Sequence, residues 1–125
     1  MGERLVDDRR VSGPRSRVFS AFGCRDGLAV DGRVSIVASD FVQPNGLAFS
    51  PDEKILYVAD SGAPKHIRRF AVAADGTLSG GEVFCPIDVG TPDGIRVDQA
   101  GRVWSSAGDG VHIFSPAGKL IGKLL

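Results

Sequence analysis

The sequence predicts an all-β fold, and three observations support that prediction. The 17 glycines and 7 prolines are spread along the 125 residues instead of being clustered, which is typical of a chain with many tight turns. Apolar residues recur in short runs that alternate with polar ones, as expected for strands with one buried face. No stretch shows the sustained period of about 3.6 residues that marks an amphipathic helix.

The expected strands follow one another from residue 33 onward. A continuous apolar run at 55–59 is typical of a strand buried on both faces. Asp75-Gly76 is a hairpin signal between two further strands. A turn at 41–46, containing Pro and Gly, is expected before the second strand. In order, the predicted strands are 33–38, 47–50, 55–59, 66–72 and 78–84.

An internal repeat sharpens the fold class. The segment PNGLAFSPDEK at 44–54 aligns with PDGIRVDQAGR at 92–102. After a one-residue deletion Leu56-Tyr57 aligns with Val103-Trp104, and Phe70 then aligns with Phe114. A repeat of roughly 50 residues that carries about four short strands predicts a β-propeller blade.

The length limits how much of a propeller the chain can hold. Propellers close with about four to eight blades of roughly 45 residues each, so this chain has room for two to three blades. We place them at 31–125. Residues 1–30 are rich in arginine, contain no lysine and show no strand or helix period, so we expect an atypical, disordered arm there.

Composition excludes several partners. The 15 basic and 15 acidic residues give a net charge of zero, which leaves no basic footprint for nucleic acid. No apolar run approaches the roughly 20 residues that cross a bilayer, and the first residues are too charged for a secretory signal. We therefore expect no nucleic-acid partner, no membrane partner and a cytoplasmic location. Cys24 and Cys85 have no CxxC spacing, which favours reduced thiols over a disulfide.

Four phrases carry a resemblance to a known family. In order and spacing, they resemble phrases of the gluconolactonase, senescence marker protein and luciferin-regenerating enzyme family, and the resemblance runs from about residue 32 to residue 125. It implies an all-β, six-bladed β-propeller whose central channel holds one divalent metal ion. It also implies hydrolysis of sugar lactones or related esters. The four phrases are 44–52, 56–62, 92–98 and 108–114.

The resemblance also implies site residues. The asparagine of the first motif, a metal ligand in the family, falls on Asn45, and the aspartate of the second, a metal ligand and the proposed catalytic base, falls on Asp93. The family's glutamate ligand comes from an early blade that has no counterpart here, and its last blades are missing as well. We therefore expect this chain to be an internal or late portion of such a propeller with a foreign amino-terminal segment.

The residues themselves support a site at these positions. Asn45 and Asp93 each stand between a Pro and a Gly just before an expected strand, so a stiff corner would project a short oxygen-bearing side chain from each of two adjacent blades. Amide and carboxylate oxygens are hard ligands, suited to calcium, magnesium or manganese, whereas zinc would be expected to prefer His or Cys. With the resemblance, we expect calcium and keep zinc, magnesium and manganese as alternatives. The alternative is that both motifs are simple turns.

Other polar residues receive structural predictions. Asp60 ends the buried strand and is expected to cap a loop; the alternative is that it accepts a hydrogen bond from a metal-ligating residue. His66 is expected to be exposed, with a position at the channel mouth as the alternative. His112 and Asp109 are expected to be structural, and the Arg68-Arg69 pair to be solvated. Ser61, Ser105 and Ser106 lack a GxSxG elbow and a His partner, which argues against a serine hydrolase.

Two functional hypotheses follow. The first is a divalent-metal-dependent sugar lactone hydrolase in which Asp93 is metal ligand and general base and Asn45 is metal ligand. The alternative is a truncated, non-enzymatic binding module or an inactive remnant, which could self-associate through unsatisfied sheet edges. The missing third ligand separates the two, because an incomplete ligand set should bind the ion weakly.

Overall fold

The structure, a computed structural model, describes the backbone of residues 5–6, 17–21, 24–28 and 34–125, and the side chains from residue 38 onward. In these residues every regular element is a strand, so the prediction of an all-β fold is confirmed. Since no helix occurs in the described part of the chain, none there is long and apolar enough to cross a membrane.

Within the described residues the strands form three four-stranded antiparallel sheets, each joined in simple sequence order. This up-and-down order is the one expected of propeller blades. The first sheet contains β1 Leu5–Val6, β2 Arg17–Ala21, β3 Cys24–Leu28 and β4 Val34–Ala38. The second contains β5 Pro44–Phe49, β6 Ile55–Asp60, β7 His66–Val72 and β8 Leu78–Pro86. The third contains β9 Ile95–Val97, β10 Val103–Ala107, β11 Gly110–Phe114 and β12 Leu120–Leu124.

The first sheet overlaps the segment expected to be a disordered arm. Strands β1, β2 and β3 lie within residues 1–30, and β3 pairs with β4. Pairing across the sheet thus gives β structure to segments that lack a strand period of their own. The rest of the expected arm, at 1–4, 7–16, 22–23 and 29–30, lies outside the described residues. The division of the chain at residue 30 stays a prediction.

The strand register reproduces the repeat. Ala48 lies opposite Tyr57 in the second sheet, and Arg96 lies opposite Trp104 in the third. The repeat alignment matches Ala48 with Arg96 and Tyr57 with Trp104. Each of the two sheets therefore places equivalent residues on equivalent strands.

Apolar side chains cover both faces of the second sheet. On one face they pack against the third sheet, and on the other they form a separate cluster around Phe41. Strand β6 is buried along almost its whole length, as its continuous apolar run predicts. The first cluster includes Tyr57, Ala59, Ile67, Phe84, Ile95, Val103 and Phe114, and the second includes Phe41, Leu56, Val58 and Phe70.

Arg68 is buried, so the prediction of a solvated arginine pair is wrong for this residue. Its guanidinium lies 2.9 Å from a carboxylate oxygen of Asp40 and 4.7 Å from the ring centre of Phe41. Ile67 and Arg68 point to opposite faces of the second sheet, and both are buried because both faces are covered: Ile67 packs in the first cluster, and Arg68 lies over Phe41 and Phe70 of the second. The same guanidinium holds the pKa of Asp40 below its ordinary value, chiefly through their hydrogen bond.

Candidate metal centre at two strand corners

The two Pro-X-Gly motifs form corners on adjacent sheets. The first corner, 44–46, lies inside β5, where the pairing with β6 shifts between Pro44 and Leu47. The second corner, 92–94, directly precedes β9. The sequence placed both corners before a strand, which is wrong for Asn45: it lies within β5, in an irregularity of the ladder.

The corners touch each other through their backbones. The Gly46 N–H donates a hydrogen bond of 2.9 Å to the carbonyl of Asp93, which explains why the first corner departs from regular pairing with β6. A Cβ at position 46 would overlap that carbonyl oxygen, whereas a Cβ at position 94 would meet nothing within 4 Å. Only glycine therefore permits this approach at the first corner, while the glycine at the second is not required for space.

A serine hydroxyl fixes the second corner. The Ser106 Oγ accepts the N–H of Asp93 at 3.2 Å and the N–H of Gly94 at 3.1 Å. The Ser106 N–H in turn donates to the Gly94 carbonyl at 3.0 Å. Pro92 is fully buried, while Asp93 is exposed. The backbone of the corner is thus held in place and the Asp93 side chain projects from it.

A buried carboxylate fixes the segment that leads into the first corner. Asp60 is 2% exposed, and its oxygens accept the N–H groups of Val42 at 2.9 Å, Gln43 at 2.8 Å and Gly62 at 3.0 Å. The prediction that Asp60 caps a loop is confirmed. Because Gln43 and Gly62 bond to the same oxygen, this one side chain orders the approach to Asn45 and the exit from β6.

Ser61 links the corners through its side chain. Its Oγ accepts a hydrogen bond of 3.1 Å from the Asn45 Nδ2 and donates one to the Pro92 carbonyl. Sequence reasoning considered Ser61 and Ser106 only as nucleophiles and missed these contacts. A weak signal was present, because Asp60 and Ser61 at the end of β6 and Ser105 and Ser106 near the end of β10 are polar, at neighbouring but not identical places in the repeat.

The donor chemistry of the corners fits a hard divalent cation. The two candidate donors are the amide oxygen of Asn45 and the carboxylate of Asp93. Their corners are joined by the backbone hydrogen bond from Gly46 to Asp93. In the part of the chain that the structure describes, no group of three or more His, Cys, Asp or Glu side chains could hold a metal ion. Calcium takes about six to eight oxygen ligands, so the described residues fit part of such a site.

His66 lies in register with the first corner, two strands away, because Asp60 of β6 pairs with both Pro44 and His66. It is the first residue of β7, lies opposite Asp60 in the ladder and is half-buried. Burial lowers its pKa, and the nearby Asp60 carboxylate opposes this effect. The imidazole is therefore mainly neutral at neutral pH.

His112 belongs to a separate polar cluster in the third sheet. It is 1% exposed, and its Nε2 lies 2.6 Å from a carboxylate oxygen of Asp109 in the turn between β10 and β11. Lys123 Nζ lies 3.2 Å from Asp109 and 3.3 Å from Asp88. Chiefly through the His112 hydrogen bond, the pKa of Asp109 is lowered. The positions agree with the predictions, since His112 is buried in β11 and Asp109 lies in a turn.

Comparison with known proteins identifies the family. The SMP-30/gluconolactonase/LRE-like family model matches residues 17–125, so the match includes β2 and β3 as well as the second and third sheets. The chain belongs to this family, and its all-β sheets are blades of the propeller type that its solved relatives share.

Individual relatives agree with this assignment. A gluconolactonase from Zymomonas mobilis is 35% identical over 78% of this chain and 30% of its own length. A solved gluconolactonase from Xanthomonas campestris is 36% identical with a TM-score of 0.75, over 94% of this chain and 36% of that one. A calcium-binding protein, regucalcin, from Agrobacterium tumefaciens is 27% identical with a TM-score of 0.69. This match covers 86% of this chain and 40% of that one. The chain thus spans about a third of the length of its curated relatives.

Proposed function

We propose that this chain carries part of the active centre of a divalent-metal-dependent sugar lactone hydrolase. Asn45 and Asp93 are the metal ligands that it supplies, Asp93 is also the general base, and calcium is the preferred ion. The observation that carries the proposal is the backbone contact between the two corners, 2.9 Å from Gly46 N to Asp93 O. The lactonase names of its relatives support the substrate class, and the calcium-binding regucalcin relative supports the ion.

Asp93 has the surroundings that a general base requires. Its backbone is hydrogen-bonded to Ser106 and Gly46. The exposed carboxylate is therefore attached to a fixed backbone position while substrate and water approach. In the hydrolysis, the carboxylate takes a proton from water as the water oxygen bonds to the lactone carbonyl carbon. The bond from that carbon to the ring oxygen then breaks, and the ring oxygen receives the proton, which gives the open hydroxy acid. A bound divalent cation would supply Lewis-acid stabilisation of the developing negative charge.

The test is to compare the chain with its Asp93→Asn variant. We expect gluconolactone hydrolysis to fall by about 10²-fold or more, since a positioned general base contributes about 10² to 10⁴-fold. Calcium affinity, measured by titration calorimetry, should fall as well. Asp75→Asn is the matched control, because Asp75 caps only the hairpin between β7 and β8 through Thr77.

Two results would overturn the proposal. One is equal hydrolysis by the chain and the Asp93→Asn variant. The other is a chain that neither binds calcium nor hydrolyses gluconolactone, which would favour the alternative of a non-enzymatic module or an inactive remnant.

A further inference from the structure

Ser61 occupies a fixed position between the two corners. It follows Asp60 at the end of β6, and its N–H donates to the Gln43 carbonyl at 2.9 Å. The same Asp60 carboxylate holds the residues on either side of this contact, Gln43 and Gly62. The Ser61 hydroxyl therefore starts from an ordered backbone, and its two partners decide its orientation.

The hydrogen bonds of that hydroxyl allow one proton arrangement. A serine hydroxyl has a single proton, and the Pro92 carbonyl can only accept, so the proton goes to Pro92. The Ser61 Oγ then has only acceptor capacity left for Asn45. The Asn45 side chain must present its NH₂ group to Ser61, as the contact of 3.1 Å from Nδ2 has it. With the amide reversed, two oxygens would face each other without a proton between them.

We infer that Ser61 is a positioning residue, which fixes the Asn45 amide with its oxygen on the side away from Ser61 and ties this orientation to the second corner. This inference rests on the proposed function, because an oriented amide oxygen matters for binding only where Asn45 is a ligand. Mutation of a group that holds a metal ligand in place commonly lowers metal affinity by about 10 to 100-fold. Since the proton acceptor is the residue before Asp93, one hydroxyl couples both ligand-bearing corners.

The first test follows the Asn45 side-chain amide by ¹⁵N–¹H NMR without added metal. We expect the Nδ2 proton that faces Ser61 in the unmodified chain to be shifted from its position in a solvated asparagine and to exchange slowly. In Ser61→Ala the Nδ2 signals should move to the positions of a solvated asparagine and exchange should accelerate by about tenfold or more, whereas Ser61→Thr should retain the native signature because it keeps the hydroxyl. Ser50→Ala is the matched control: Ser50 is also a hydrogen-bonded serine, in the turn between β5 and β6, with Asp52 and Ile55 as partners. Unchanged Asn45 protons in Ser61→Ala would overturn the inference, and Ser61→Cys replaces Ser61→Ala if the latter does not fold.

The second test is a calcium titration in two backgrounds. Ser61→Ala should weaken calcium binding by about tenfold, and the loss should shrink toward none in the Asn45→Asp background, because a carboxylate presents oxygen at both ends. A loss of equal size in both backgrounds would contradict an orienting role. If the unmodified chain binds no calcium, the proposed function fails, while the metal-free NMR measurement still decides the role of Ser61.

Discussion

The two corners have related sequences and equivalent places in the repeat, but different groups hold them. Next to the first, the buried carboxylate of Asp60 accepts the N–H groups of Val42 and Gln43, which lead into the corner, and of Gly62, which follows β6. At the second, the hydroxyl of Ser106 accepts two. In the repeat alignment Asp60 corresponds to Ala107, so the second corner takes its acceptor from the preceding residue. The repeat preserves the path of the backbone, but the two acceptors act at different places: Asp60 orders the segment that leads into its corner, whereas Ser106 binds the corner itself.

The largest expected effect is at Asp60. Asp60→Ala removes the acceptor of three N–H groups, and we expect it to lower the free energy of unfolding by about 3–5 kcal/mol, since each unsatisfied donor costs about 1–3 kcal/mol and water regains part of this at the exposed residues. Denaturant unfolding of both proteins measures the difference.

Asp60→Asn is the matched variant, because it keeps the shape and one oxygen acceptor and should cost less. A loss below about 1 kcal/mol for Asp60→Ala would show that solvent replaces the carboxylate. The Asp60 carboxylate would then contribute little to the free energy of unfolding, and the difference between the two corners would not affect stability.

The second effect separates the two glycines. We expect Gly46→Ala to destabilise the chain by about 1–3 kcal/mol, because the added methyl overlaps the Asp93 carbonyl oxygen and must push the corners apart. Gly94→Ala, with open space around its Cβ, should stay within about 0.5 kcal/mol. Thermal unfolding of the pair provides the measurement. Equal losses would mean that the corners do not approach as closely as the Gly46 to Asp93 hydrogen bond requires.

The sequence predicted the parts of this arrangement that depend on local patterns. The repeat identified equivalent strands, the apolar run identified β6 as buried, and the Pro-X-Gly motifs marked both corners. It could not predict that the Gly46 N–H leaves the ladder for Asp93, because that contact joins two sheets. The roles of Ser61 and Ser106 were hidden for the same reason: a hydroxyl can serve many partners, and only packing selects them. Arg68 was misjudged because the sequence does not show that Phe41 and Asp40, from the segment before β5, cover the face of β7 on which it lies.

The smallest expected effect concerns two other turns, one between β5 and β6 and one between β9 and β10. Here the residue types are exchanged, because the second sheet uses a serine where the third uses an aspartate. In the second sheet Ser50 and Asp52 share the turn, and the Ser50 Oγ accepts the N–H of Ile55 at 3.1 Å. In the third sheet Asp98 occupies the place of Ser50 and accepts from the Arg102 Nε at 2.7 Å and the Trp104 Nε1 at 3.0 Å. Chiefly through the Trp104 hydrogen bond, together with Arg102, the pKa of Asp98 is lowered to about 2.

A folded-state pKa below the ordinary value of 3.8 stabilises the fold above pH 3.8, and this contribution is lost as the pH falls from about 4 toward about 2. Asp98→Asn should therefore flatten the loss of stability across that range more than Asp52→Asn does, because Asp52 accepts only one hydroxyl and one N–H group. Urea unfolding midpoints at several pH values between 7 and 2 measure this. If the two variants flatten the profile equally, the exchange of serine and aspartate between the sheets has no electrostatic consequence, and the repeat is equivalent in chemistry as well as in backbone path.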